Sequence, residues 1–309
     1  MQTTFKLFIL SLLCLSLTLL SGCGGGTPSL TPAEQAEVDK YIKEYGRDAL
    51  AKYLGYLFEE YNRPVEEYNH NRPDEKLVLK YVRYFVSQGA DVNAMANRYG
   101  HPIAPLTSVA AVGHLAVVKF LVSKGADAGS KYLSLYAAAE RGHLDVVKFL
   151  VSKGADVNAN SGYSLYAAAR GGHLEVVKFL VSKGVNVKAN SGGGCPLYAA
   201  AIGGHLEVVE FLVSKGVDVN TNSGDPLRDP LRGAAVGRHL EVAKFLVSKG
   251  ADAGSKNSAL SALRGTVFTR RVGEEFNKHE EIIRYLESVG AKAECGCKSG
   301  IGENAPNGQ

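Results

Sequence analysis

Six residues, FLVSKG, occur verbatim five times in this chain, starting at Phe120, Phe149, Phe179, Phe211 and Phe245. They belong to a longer near-copy whose fullest form is GHLDVVKFLVSKGADVN, Gly142–Asn158. Its histidine marks the step. His114, His143, His173, His205 and His239, with a weaker sixth at His279, stand 29, 30, 32, 34 and 40 residues apart. Self-similarity at this period restricts the chain to an array of small supersecondary units. One such unit cannot bury its own apolar faces, so its stability must come from stacking on its neighbours.

The spacing predicts a short helix over Leu144–Lys153. Asp145, Lys148 and Ser152 fall at i, i+3 and i+7 and make one polar stripe, while Leu144, Val146, Val147, Phe149, Leu150 and Val151 fill the rest. A helix this apolar is covered on most sides, and one this short holds in water only through tertiary packing. Gly154 stands where a left-handed cap ends it. Upstream, SLYAAAERG (Ser134–Gly142) predicts a second helix, with counterparts beginning at Ser164, Pro196 and Pro230. Its alanine run favours helix and has no bulk, so a neighbouring helix can approach closely. Each unit is therefore a helix, a tight glycine turn, a second helix and a polar connection.

Cys195–Ala201 (CPLYAAA), Gly204–Val209 (GHLEVV) and Gly216–Asn220 (GVDVN) follow one another in the register of the ankyrin repeat, which the chain resembles from about Arg47 to Ala291. The resemblance implies an all-α solenoid of stacked helix-turn-helix units with hairpin fingers. It also implies a concave surface that binds another protein through the finger tips and first-helix faces. By register that surface holds Tyr132, Glu140, Arg141, Tyr163, Arg170, Ile202 and Arg228. The chain departs from the family where the threonine and histidine of its TPLH opening belong. Those places hold Leu133 and Tyr136, Tyr163 and Tyr166, Cys195 and Tyr198, and Asp229 and Arg232. The family period is about 33. The 29- and 30-residue steps lose residues only ahead of the alanine helix, so those fingers should be short or reduced to turns.

The ends differ from the middle. Leu7–Leu20 is almost wholly apolar, too short for a membrane span and right for a signal-peptide core. It runs into Leu20-Ser21-Gly22-Cys23, which resembles a bacterial lipobox. That resemblance implies removal of residues 1–22 and lipidation of Cys23, giving a membrane anchor of two or more acyl chains. An ordinary signal peptide cut near Gly22 or Gly24 is the alternative. Gly24 rather than aspartate follows the cysteine, which by the familiar sorting rule implies the outer membrane, periplasmic face, in a Gram-negative cell. Residues 23–31 then form the lipidated cysteine and a flexible tether. Residues 32–88 form a helical N-terminal cap and a degenerate first repeat, with helices expected at Pro32–Tyr45, Arg47–Tyr61 and Asp74–Gln88. Thr31, Pro32 and Glu34 carry the signature of a helix start. Tyr41, Tyr45, Tyr53, Tyr56 and Tyr61 either close the stack or form an aromatic recognition patch. Five repeats span 89–249. Asp225–Arg228 is duplicated at Asp229–Arg232, and the first copy is expected to be a loop insertion. A degenerate capping repeat spans 250–291, its helices near Ser258–Arg264 and His279–Ser288 parted by a basic surface loop. Residues 292–309 make a Gly/Asn/Ser-rich tail expected to be disordered.

Little in this chain points to chemistry. The net charge of +4 over 309 residues argues no particular partner. Neither a phosphate-binding glycine loop nor a nucleophile flanked by a base is found. The expectation is no enzyme, no cofactor, no metal, no nucleic acid and no small-molecule substrate. Equivalent positions on stacked helices lie roughly 8–10 Å apart, whereas zinc wants nitrogens at about 2.0–2.1 Å. The histidine ladder is therefore expected to bond turn backbone. Of five cysteines, Cys14 leaves with the signal and Cys23 is lipidated, leaving Cys195 and the close pair Cys295 and Cys297. Lys119, Lys148, Lys178 and Lys244 recur on the second helix, and Asp145, Glu175 and Glu241 precede three of them by three residues. That spacing suits a solvated face with weak ion pairs; a basic strip is the other reading. The whole points to a membrane-anchored protein-binding scaffold of the bacterial cell envelope, one form of which is an immunity or inhibitor protein. The alternatives are a structural envelope lipoprotein without a specific partner and a redox factor using Cys295 and Cys297.

Overall fold

Thr31 and Glu34 form a capping box. The Thr31 N–H donates to Glu34 Oε2 at 2.7 Å, and the Glu34 N–H donates to Thr31 Oγ1 at 3.3 Å. With Pro32 in the first turn, the box starts α1, Pro32–Tyr45, as the sequence predicts. The computed structural model describes residues 30–62, 74–98, 101–127, 131–188, 195–221, 228–266 and 274–292. The expected signal peptide, Cys23 and its tether to Ser29, and the tail with Cys295 and Cys297 lie outside the described residues. The chain divides into two units, Met1–Asn186 and Val187–Gln309.

In the first unit a tight turn at Gly46–Asp48 leads to α2, Ala49–Asn62, and Asp74 caps α3, Glu75–Ser87, by accepting from the Leu77 N–H at 2.7 Å. These helices close on an aromatic core. Tyr53 lies 6.1 Å from Tyr81 and 5.2 Å from Phe85, and Tyr41 lies 6.0 Å from Phe85. Tyr41 and Tyr53 are buried, so these two serve the cap and not a recognition patch. The strands β1, Ala96–Arg98, and β2, His101–Ile103, then pair antiparallel as a small finger, with Ala96 opposite Ile103. Four helices on one side and four on the other complete the pile. The first helices are α2, α4 (Pro105–Val112), α6 (Lys131–Glu140) and α8 (Ala159–Arg170). The second helices are α3, α5 (Leu115–Ser123), α7 (Leu144–Ser152) and α9 (Leu174–Ser182). Each packs on the next of its own row and on its partner within the repeat.

The second unit repeats the plan. Its first helices are α10 (Pro196–Gly203), α12 (Pro230–Val236) and α14 (Ala253–Thr266), and its second helices are α11 (Leu206–Ser214), α13 (Leu240–Ser248) and α15 (Glu274–Ser288). Asp229 caps α12 by accepting from the Arg232 N–H at 2.9 Å. The second DPLR copy is thus the helical one; most of the first, 225–227, lies outside the described residues. The last repeat corrects the expectation. Its helices begin at Ala253 and Glu274 rather than near Ser258 and His279, and the first runs to Thr266. Asp252 is the reason for the early start of α14, since its Oδ1 accepts from the Ser255 N–H at 2.7 Å as an N-cap would. Arg270 and Arg271 lie outside the described residues.

Burial follows the period. On α7, Val146, Val147 and Leu150 are buried, Leu144, Phe149 and Val151 are half-buried, and Asp145, Lys148 and Ser152 are exposed. Gly154 ends that helix at φ 88°.

Two side-chain ladders join successive repeats. Asn93 donates to the Gly125 carbonyl at 3.1 Å and accepts from the Asp127 N–H at 2.6 Å, spanning to the next turn as a peptide group would. Asn158 does the same with Gly184 and Asn186, and Asn220 with Gly250 and Asp252. The histidines form the other ladder. His143 Nε2 donates to the Ala111 carbonyl at 3.0 Å, His173 to Glu140 at 3.0 Å and His239 to Ile202 at 3.2 Å. Each therefore clips its own turn to the preceding repeat, which is the backbone role expected of them.

The ring packs so tightly because the turn before it is glycine. A Cβ on Gly113, Gly142 or Gly204 would come within 2.7 Å of Cγ of His143, His173 or His239 respectively. Arg238 occupies the same register position at φ 64° and brings a Cβ with it. The histidine that should lie there, His279, is buried, and its Nε2 has no hydrogen-bond partner among the described residues. Arg238→Gly is expected to relieve the left-handed strain, less glycine's own entropy cost, for a gain of up to about 1 kcal/mol. A thermal melt should show a rise of roughly 2–4 °C; a lower midpoint would mean that the Arg238 side chain contributes more than its backbone costs.

Burial also holds the imidazoles of His114, His143 and His239 below their usual value of 6.5. Unfolded, each takes up a proton as pH falls through 6.5; folded, each resists. The stability these rings preserve above that pH is lost below it. Asp229 opposes the trend, because burial raises its carboxyl and favours its protonated form in the fold. The melting midpoint is expected to fall between about pH 7.5 and about pH 5.5. In His143→Gln, which keeps a donor for Ala111, the fall should be shallower.

Candidate functional site

One first helix starts with large apolar residues left in solvent. On α6, Tyr132 and Leu133 remain 42% and 37% exposed, although both are large and apolar. Among the described residues only Met95 and Val236 share that condition, at 49% and 42%. Met95 stands just before β1 and Val236 ends α12. All four therefore belong to fingers and first helices, and none to a second helix.

Between α6 and α8, Tyr132 and Leu133 line a cleft of about 170 Å³ together with Tyr136, Ala159, Asn160, Tyr163 and Ser164. Its floor owes its shape to an unusual turn. Asn160, Ser161 and Gly162 all adopt left-handed backbone, at φ 50°, 58° and 75°, so the right-handed part of α8 begins only at Tyr163. Two consecutive non-glycine residues in that region are costly. This turn is what the 30-residue step leaves of a finger. It lifts Tyr163 between two other rings. Tyr136 and Tyr163 stack with centroids 4.9 Å apart and planes within 7°, and Tyr163 and Tyr166 stack at 5.4 Å and 7°.

The electrostatics of this face are set at its far end. Tyr136 donates its hydroxyl to Glu140 Oε1 at 3.1 Å. Burial, then the Glu140 carboxylate, raises the Tyr136 phenol well above its ordinary value, and the nearby Arg170 partly offsets this. Arg141 is exposed and carries its guanidinium 5.9 Å from the centre of the Phe58 ring.

The residues expected to form the surface thus separate. Tyr132 and Tyr163 share the cleft, and Glu140 and Arg170 act on its tyrosine. Arg141 lies over α2. Ile202, half-buried, and Arg228, exposed, belong to the second unit. Tyr163 differs from expectation in one respect: it is half-buried inside a stack that joins two repeats, so it contributes packing as well as surface. Leu133, Tyr136 and Asn160 were missed as site residues. Adjacency of Tyr132 and Leu133 was the available signal; nothing local marks Asn160.

On the second helices two of the three expected ion pairs are present among the described residues. Lys178 and Lys244 pair with Glu175 and Glu241 at 2.8 Å. Lys124, Lys153, Lys183, Lys215 and Lys249 each hold the ammonium 5.3–5.8 Å from the ring of the phenylalanine one turn earlier. Cys195 is a buried free thiol at the start of α10, raised chiefly by burial, which makes it a poor nucleophile. Among the described residues no group of three His, Cys, Asp or Glu side chains could hold a metal ion, and no helix is long and apolar enough to cross a membrane.

A family profile described as "Ankyrin repeats (3 copies)" matches residues 76–161, 135–223 and 166–257, together more than half of the chain. The crystal structure of the human ASB11 ankyrin repeat domain is similar at a TM-score of 0.49 and 23% identity, over 62% of this chain and 85% of that domain. No curated protein sequence matches.

Proposed function

Because the chain belongs to the ankyrin-repeat family, whose members generally mediate protein–protein contact, we propose that it is a protein-binding scaffold tethered to a bacterial membrane. Its first helices and fingers are the binding face in this reading. The observation that carries it is that, among the described residues, the large apolar side chains left exposed, Met95, Tyr132, Leu133 and Val236, stand on or beside fingers and first helices and none on a second helix. Exposed aromatic and arginine side chains are the residues that most often dominate a protein interface. The tether rests on Leu20–Cys23 and the apolar run before it. In a Gram-negative cell, Gly24 favours the outer membrane.

Once a partner has been identified by cross-linking, Tyr132→Ala and Arg170→Glu are expected to weaken its binding by about tenfold or more each. Lys148→Glu and Lys178→Glu on the second helices should leave it within about twofold. The reverse pattern would move the site to the opposite face. For the anchor, Cys23→Ala should accumulate an unprocessed precursor without lipid. A variant that matures to the usual size and still partitions into detergent removes the lipoprotein reading and leaves the binding reading untouched.

A further inference from the structure

Independently of the binding reading, we propose that α15 is a releasable strap, which leaves α13 and α14 as one unit while the rest of the second unit stays folded. The joint in front of it lacks a fastening that three other joints show. His239 bonds to the Ile202 carbonyl at 3.2 Å, as His143 bonds to Ala111 and His173 to Glu140 at 3.0 Å. In each case the ring fills the space that a missing Cβ leaves free, at Gly204, Gly113 and Gly142. The same register pairs Arg238 with His279 and puts the Val236 carbonyl in the acceptor's place. Arg238, however, brings a Cβ to the turn at φ 64°. His279 is 6% exposed, and its Nε2 has no hydrogen-bond partner among the described residues. Two departures thus meet at one joint: a side chain where the turn needs none, and a buried ring nitrogen without its bond.

The polar bonds divide the last repeat between its two helices. The start of α14 is tied to the preceding repeat. Asn220 donates to the Gly250 carbonyl at 3.2 Å and accepts from the Asp252 N–H at 2.9 Å, and the Ser255 hydroxyl donates to the buried Asp229 carboxylate. The polar ties of α15 among the described residues run to α14 instead. Arg264 pairs with Glu287, both exposed, and the Lys292 N–H, just beyond α15, donates to Asn257 at 2.7 Å. An exposed ion pair adds little. Apolar contact with α13 and α14 therefore holds α15 closed, with Ile282 and Leu286 fully buried. What it lacks is the one directional bond that ties the other second helices to the repeat before them. Sub-global opening follows cooperative units, and the weakest joint marks their boundary. Here that boundary lies in front of α15, because α14 keeps its own bonds to the stack.

Amide hydrogen exchange on the full chain tests this. The expected result is that the amides of Glu280–Ser288 share one level of protection, at least about tenfold below that of α13, while α14 is protected as α13 is. Arg238→Gly makes room for the ring, so that His279 reaches the Val236 carbonyl. Exchange in α15 should then slow by about two- to tenfold, the contribution of one hydrogen bond, with α13 unchanged. Relief of strain in the turn does not mimic this. The turn stays folded whether α15 is closed or released, so its strain cancels from the opening and shows only in the global melt. Arg238→Asn removes the guanidinium and tolerates left-handed backbone but keeps a Cβ; it should leave α15 at the parent's rate. Adding His279→Ala to Arg238→Gly should abolish the slowing. Protection of α15 equal to that of α13, or graded inward from Ser288 as in simple fraying, overturns the proposal. So does exchange in α15 that Arg238→Gly quickens or leaves unmoved, or that the Asn and Gly variants slow alike. The parent's profile decides the case by itself if a variant does not fold.

Discussion

Gly142→Ala is expected to lower stability by about 2–5 kcal/mol, on the order of 10 °C in melting midpoint. Two costs add. The residue sits at φ 75°, where a side chain is strained whatever the space around it. Its new Cβ would also lie within 2.7 Å of Cγ and Cε1 of His173, so the ring must leave. When it leaves, the bond from Nε2 to the Glu140 carbonyl breaks, and a part-buried acceptor loses its donor. Gly154→Ala separates the two costs. Gly154 has a still larger φ of 88°, but nothing lies within 4 Å of where its Cβ would go. That variant should lose only the backbone term, about 1 kcal/mol. Equal losses at the two positions would mean that the histidine packing contributes nothing, and the repeat-to-repeat clip would have to be abandoned.

The same contrast shows what a sequence can and cannot reveal here. Both glycines are visible as the turn and cap of a repeat, because local backbone geometry demands them. That a histidine from the next repeat lies against one and not the other is a tertiary fact. The second helices were legible almost to the residue, since Asp145, Lys148 and Ser152 mark the polar stripe and Gly154 the stop. The last repeat was not. Its first helix was expected near Ser258, whereas Asp252 caps one that starts beside it at Ala253. The site divides in the same way. Tyr132 is exposed as its position on the first helix predicts. Tyr163 was expected to be surface alone, but it packs between Tyr136 and Tyr166, because three left-handed residues, two of them not glycine, turn it inward. No periodicity encodes that turn. The bridging asparagines Asn93, Asn158 and Asn220 stand in the sequence as the end of a turn, yet each bonds to residues 26 to 34 positions away.

Lys80→Ala should release the N-terminal helix. Glu34, with its side chain 1% exposed, receives the Lys80 ammonium at 3.0 and 2.9 Å and the Tyr81 hydroxyl at 3.1 Å. Burial alone would raise its carboxyl; the bonds from Thr31 and Lys80 outweigh that and hold it below its usual value of 4.5. A group lowered in this way adds stability above pH 4.5 that is lost as pH falls through the folded value. Removing the lysine strands a buried charge, at a cost of about 3–5 kcal/mol at neutral pH. The cost is borne by α1, since Glu34 lies on α1 and Lys80 on α3. Amide exchange across Pro32–Tyr45 should quicken well before that of α7, whose buried Leu150 lies in another repeat. Replacing both charges, as Glu34→Gln with Lys80→Met, should recover part of the loss, because no buried charge is left unpaired and the amide oxygen still accepts a bond that Thr31 or Tyr81 donates to Glu34. The pH response separates electrostatics from lost packing. In Lys80→Ala the Thr31 bond remains but the ammonium's share of the offset is gone, so Glu34 takes up a proton earlier and the deficit against the parent shrinks as pH falls toward about 4.5. A deficit that stays constant over that range would assign the effect to the lysine's methylene chain, and the ion pair would no longer be what fastens the cap.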